Sequence, residues 1–136
     1  MLDLFQEFHT DTVAEETGVW REIGGGASLL IARANNRHYN KALADLYEKN
    51  AEALERNDDA ADKLSTDLMI QVLADTILLG WKGVGYKRQP MEYSTANART
   101  MLALRDFRTL VVKKANEIDV YKAKAEKETG NDSASS

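Results

Sequence analysis

The 136 residues contain no cysteine, which excludes a disulfide framework and thiolate chemistry and fits a reducing compartment. Histidine occurs twice, at His9 and His38. Neither has a carboxylate or a second histidine at ligand spacing, so solvent-facing or capping roles outweigh metal binding. No apolar run approaches the roughly 20 residues that a membrane span needs. The opening residues Met1-Leu2-Asp3-Leu4-Phe5-Gln6-Glu7-Phe8 lack a basic region and do not read as a secretory signal. Positive charge is not in excess either. The net charge is −4, so nothing marks the whole chain as a nucleic-acid binder. The expectation is a soluble intracellular protein.

What is present suits one domain. A hydrophobic share of 43% and a charged share of 29% are ordinary for a globular chain of this length. Residues Met1 to Thr17 form a mixed segment with Leu2, Leu4, Phe5 and Phe8 apolar, read as a short arm or helix. Val19 to Ile23 and Ser28 to Ala32 are β-favouring runs on either side of Gly24-Gly25-Gly26, which predicts a β-hairpin over about 19–32. A lone hairpin is unstable in water and must pack on other elements.

Four helices are expected after it. Asn36 caps the first, in which Tyr39, Ala42, Leu43, Leu46 and Leu54 share a face. Arg56 to Asp62 reads as a polar turn, with Ser65 or Thr66 opening the next helix. There Met69, Val72, Leu73, Thr76 and Ile77 line one face, Leu68, Ile70 and Leu79 widen it, and Gly80 ends it. Ser94 caps a third helix with Ala98, Met101 and Leu102 inward, and Asp106 restarts the chain into a fourth that holds its spacing to about Lys127. The predicted class is mainly α, with a small N-terminal β-hairpin packed on about four helices. The predicted domain spans 1–128, followed by a disordered polar tail at 129–136.

No constellation for catalysis emerges. Gly24-Gly25-Gly26 precedes a strand and lacks a following Lys-Ser or Lys-Thr, so it is a turn and not a phosphate cradle. Asp58, Asp59 and Asp62 lack the central glycine of a calcium loop. Asp67 and Asp75 share a helical face, and a polar stripe explains them as well as acid–base chemistry does. Lys113, Lys114, Lys122, Lys124 and Lys127 interleave with Glu117, Asp119, Glu126 and Glu128, the pattern of a solvated, salt-bridged face. The chain is expected to be no enzyme, with no metal and no cofactor.

Glycine, proline, tryptophan and tyrosine concentrate in one place. Gly80-Trp81-Lys82-Gly83-Val84 is followed by Pro90-Met91-Glu92-Tyr93-Ser94 and then by a helix with Asn97, Ala98 and Leu102. Together with Leu104 to Val111, and with Leu30 to Asn36 followed by Tyr39 and Lys41-Ala42-Leu43, this order resembles the tail assembly chaperones of long-tailed bacteriophages. The resemblance runs from Gly18 to Tyr121. It departs at Gly85-Tyr86-Lys87-Arg88-Gln89, where that family often has an acidic, Asp-rich turn with glycine.

The resemblance implies a non-catalytic partner. Its client is the tape-measure protein, kept soluble while tail-tube subunits assemble around it. A frameshift-extended form of the same chain and the tail-tube protein are further implied partners. The implied place of action is the host cytoplasm, with absence from the mature virion. Neither nucleic acid nor membrane is implied, and a homo-oligomer stays open. Candidate contact residues are Leu78, Trp81, Tyr86, Lys87, Arg88, Met91, Tyr93 and Met101, because methionine and aromatic side chains suit adaptable binding. Trp81 and Tyr93 read first as anchors that hold the loop to the core, whereas Tyr86, Lys87 and Arg88 at its centre read as exposed. The alternative functions are a structural virion component, such as a tail terminator or head–tail connector, and a small DNA-binding regulator.

Overall fold

A computed structural model describes residues 1–122. The predicted tail at 129–136, and the end of the last predicted helix, lie outside the described residues. Two short helices come first, α1 (Leu4–Phe8) and α2 (Thr12–Thr17). Strands β1 (Val19–Gly24) and β2 (Ala27–Ile31) follow, then helices α3 (Arg37–Lys49), α4 (Ala51–Glu55) and α5 (Asp59–Thr76). Next come strands β3 (Leu78–Lys82), β4 (Gly85–Tyr86) and β5 (Gln89–Pro90), and finally helices α6 (Thr95–Leu102) and α7 (Arg105–Ala115).

This corrects the predicted class of an N-terminal hairpin on four helices. The described residues hold seven helices, a three-stranded antiparallel sheet of order β1-β2-β3 and a two-stranded sheet of β4 and β5. Two helices precede the hairpin, and β3 arrives from the middle of the chain to lie beside β2. The residues 77–82 carry the error. Ile77-Leu78-Leu79 continues the apolar pattern of α5, and a short apolar run does not by itself distinguish strand from helix. Pairing decides it, with Leu29 opposite Trp81, Leu30 opposite Gly80 and Ile31 opposite Leu78. Gly80 therefore sits inside a strand and stops no helix.

Alternation, reset on β3 by a bulge at Leu79, separates two faces of the sheet. Leu29, Ile31, Leu78 and Trp81 point inward and are buried. Trp20, Leu30 and Gly80 align across the outer face. Gly80 has no side chain there, and a Cβ would come within 3.6 Å of the Trp20 ring. Lys82 stacks its ammonium 4.1 Å from the centre of that ring.

Helix α5 lies beneath the sheet and packs on α3 and α6. Asp58, and neither Ser65 nor Thr66, caps it by accepting from the Ala61 N–H at 2.8 Å, so the expected polar turn is already its first turn. Leu68, Val72, Leu73 and Ala74 are its buried face. Asn36 caps α3 through the His38 and Tyr39 N–H groups, and Ser94 caps α6 through that of Asn97. Helix α7 stops at Ala115, where the sequence pattern continues. Asn116 folds back onto the Val112 carbonyl, and a helical turn resumes at 119–122.

Tyr121 in that turn is fully buried, and its hydroxyl donates to the Ile31 carbonyl at 2.9 Å. Burial pushes the phenol up to about 12, partly opposed by the nearby Arg21 and Arg33 guanidinium groups. Below pH about 10 the phenol is protonated in both folded and unfolded chains. Between about 10 and 12 the unfolded chain ionises first, so this residue's contribution to stability falls as pH rises. Tyr121→Phe is expected to cost about 1 kcal/mol at neutral pH through the lost hydrogen bond. It should also flatten that alkaline fall, as measured by urea denaturation of both proteins between pH 8 and pH 12. Equal slopes in the two proteins would exclude this role for Tyr121.

Candidate functional site

The eight residues singled out in the sequence separate into an interior group and a tip. Leu78 is 0% exposed, and Trp81 and Met101 are each 8% exposed, so all three belong to the core. Trp81 donates its indole N–H to the Met91 carbonyl at 2.7 Å. Tyr93 donates its hydroxyl to the Leu78 carbonyl at 2.7 Å, and its ring meets Trp81 edge-on with centroids 5.1 Å apart. Burial raises the Tyr93 phenol pKa; the hydrogen bond with Thr95 lowers it and the Asp75 charge raises it further. Met91 is half-buried against the same cluster. These contacts fix both ends of the connection from β3 to α6.

The tip is different. Strands β4 and β5 form a tight hairpin with Tyr86 opposite Gln89. Lys87 and Arg88 turn it with φ of 51° and 67°, the left-handed region. A two-residue turn of this kind favours Asn-Gly, because side chains other than Asn or Asp pay for positive φ with strain. Lys87 and Arg88 are both exposed, and the Lys87 ammonium lies 5.4 Å from the centre of the Tyr86 ring. Nearby, Gly83 is obligatory. Its φ is +67°, and a Cβ would stand 2.4 Å from the Gly26 carbonyl oxygen. The hairpin tip thus projects from a base that tolerates little change.

A second surface carries no residue from the sequence-based set. Between α3, α5 and α7 an open groove of about 250 Å³ runs over Tyr39, Met69, Leu73, Ile77, Val112 and Ala115. It continues past Met69 and Val112 into a hollow of about 210 Å³ beside Arg108 and Thr109. Tyr39 leans its hydroxyl toward the Met69 sulfur at 3.8 Å, and burial raises its pKa, with a smaller contribution from Tyr47. Val112 remains 37% exposed on the groove wall. Its neighbour Val111 is buried, so consecutive valines on α7 serve opposite sides. That doubled valine is the signal available in the sequence.

The polar end of the same trough, about 350 Å³, is lined by Glu15, Arg33, Asn35, Asn116 and Ile118. There Glu15 and Arg33 are paired with each other at 3.2 Å. Chemically the surface offers apolar contact from a flexible methionine and a valine, with a cation at one end. No group of three His, Cys, Asp or Glu side chains able to hold a metal occurs among the described residues. No helix among them is long and apolar enough to cross a membrane.

Residues 34–131 match the model of a family described as YdaY prophage protein. The chain matches no curated protein and no solved structure. The matched stretch contains the groove and the hairpin tip, and excludes α1, α2, β1 and β2.

Two outcomes check this arrangement. In Trp20→Phe, which leaves the buried Trp81, fluorescence is expected to be blue-shifted and resistant to iodide; in Trp81→Phe it should be red-shifted and readily quenched, because Trp20 is 44% exposed. Replacing Lys87-Arg88 by Asn-Gly is expected to raise unfolding free energy by about 1–2 kcal/mol. A denaturation midpoint that fails to rise would count against strain at the tip.

Proposed function

This chain belongs to the YdaY prophage protein family, and from that premise we propose that it is a phage tail assembly chaperone. In this reading it binds the tape-measure protein and keeps it soluble in the host cytoplasm while tail-tube subunits assemble around it. The role is non-catalytic and needs no cofactor. The observation that carries the proposal is the open apolar groove between α3, α5 and α7, floored by Leu73 and Ile77 and walled by Met69 and Val112. An amphipathic helix laid in such a groove buries side chains at helical spacing. A tape-measure chain is a long succession of such helices, so a chaperone for it needs a seat that accepts many sequences. Met69 suits that need, because its thioether stem repacks at little cost.

The hairpin tip supports the same reading. Strained backbone that persists in a fold points to a use, and Lys87 and Arg88 present two exposed cations, the Lys87 ammonium beside the Tyr86 ring. Acidic stretches of a client, or of tail-tube subunits, are the complementary chemistry. The order of residues from Gly80 to Leu102, which resembles that of tail assembly chaperones, adds to this.

Co-expression with the tape-measure protein of the same phage tests the proposal. The wild-type chain should raise the client's soluble fraction and co-purify with it. Val112→Asp puts a charge on the groove wall and should weaken that binding about tenfold or more, since removing one buried apolar contact is worth about 1.5–3 kcal/mol. Val112 is partly exposed, so the variant should fold. A client equally insoluble with and without the chain would refute the proposal. Retention of the chain in purified virions, read by mass spectrometry, would favour a structural tail or connector component instead.

A further inference from the structure

One apolar surface remains unaccounted for. Asp3 caps α1 by accepting from the Phe5 and Gln6 N–H groups, so the arm of residues 1–9 is already shaped as a helical turn. Yet that helix buries nothing. Leu4, Phe5 and Phe8 are 63%, 70% and 64% exposed. Leu4 and Phe8 stand one turn apart and Phe5 lies beside them, which makes one continuous greasy face. Glu7 ties the arm to Lys122 at 3.2 Å and holds it at the surface of its own subunit. Large apolar groups presented together in this way mark a contact site.

We infer that this arm docks in the α3–α5–α7 groove of a second copy of the chain. The fit rests on shape and on charge. A cavity of about 150 Å³ holds a benzene ring. The groove has two hollows, of about 250 and 210 Å³, which meet at Met69 and Val112. The arm has two phenyl rings, Phe5 and Phe8, three residues apart and therefore about 5–6 Å apart at their Cβ atoms. Two adjoining rings thus meet two adjoining hollows. The charged residue lining the hollows is Arg108. The charged residues of α1 and its cap are Asp3 and Glu7. An apolar helix with carboxylates complements a cation-edged apolar groove, and the caps of α1 hold it ready so that little ordering is lost on docking.

Reciprocal exchange, with each arm in the other's groove, closes as a two-fold dimer and doubles the contact. It also places the arm where a client helix would lie, so the two would compete. The inference does not depend on the client's identity, because it concerns this chain alone.

Sedimentation velocity on the full chain, with near-UV circular dichroism to verify folding, tests it. The wild-type chain should dimerise. Phe5→Asp/Phe8→Asp should weaken self-association about a hundredfold, and Val112→Asp should do likewise. These residues are exposed in the single subunit, so both variants should keep the native spectrum. Mixing the two variants is the sharper test. The first retains an intact groove and the second an intact arm, so the mixture should recover a heterodimer through one arm–groove contact. A wild-type chain that stays monomeric, a dimer indifferent to the arm, or a mixture that remains monomeric would each overturn the inference. None of those results bears on whether a client binds the groove.

Discussion

Ala32 donates its N–H to the Ile77 carbonyl at 2.9 Å, and Ala34 donates to that of Ala115, also at 2.9 Å. Between them, Arg33 donates to the Glu15 carbonyl at 2.8 Å, and Ile31 accepts the Tyr121 hydroxyl. Four consecutive residues at the exit of β2 therefore bind the end of α5, the end of α7, helix α2 and the final described turn. Each partner is distant in sequence, so the stretch 31–34 is where separate layers become one structure. Burial of Leu29, Ile31 and Ala32 keeps water away from the bonds made by Ile31 and Ala32 and strengthens them.

That junction also explains why the groove stays open. The α7 carbonyl of Ala115 is fixed to Ala34, and Arg21 reaches across to the neighbouring Lys114 carbonyl at 3.0 Å while pairing with Glu117 at 3.2 Å. The C-terminal end of α7 is thus fastened to the sheet. Its midpoint passes over α5 with Val112 and Met69 facing each other across a gap. A helix free to slide would collapse onto Met69 and Leu73 and fill the space. The open groove in this molecule is a by-product of anchoring a helix at one end.

Much of the fold was legible because its signals are local. Asn36 and Ser94 cap helices with side chains whose role depends only on the next three residues. The runs on either side of the triple glycine pair as strands for the same reason. The failures are non-local. Residues 77–79 read as more helix and 80–82 as loop, because the partner that claims them is β2, some fifty residues earlier. Leu78 then reads as spare apolar surface, whereas the third strand draws it into the core; Trp81 and Met101, which read as inward as well as contact candidates, are buried. Asp58 outcompetes Ser65 as a cap because the acidic run 58–62 suits a helix start as well as it suits a turn. The groove left only the doubled valine of α7 as a local sign, since it belongs to no single segment. Tyr39, Met69 and Val112 lie on three helices, and only packing makes them neighbours.

One linking residue, Ile77, separates α5 from β3. A helix advances its side chains by about 100° per residue and a strand by about 180°, so this joint meshes two unequal gears with no slack. Were the chain one residue longer there, Gly80 would move into the core place of Trp81 and Trp81 to the outer face, while the buried stripe of α5 stayed put. Length at this point is consequently as constrained as chemistry. Diversity among such chains should gather in segments with free ends, and spare the six residues from Ile77 to Lys82.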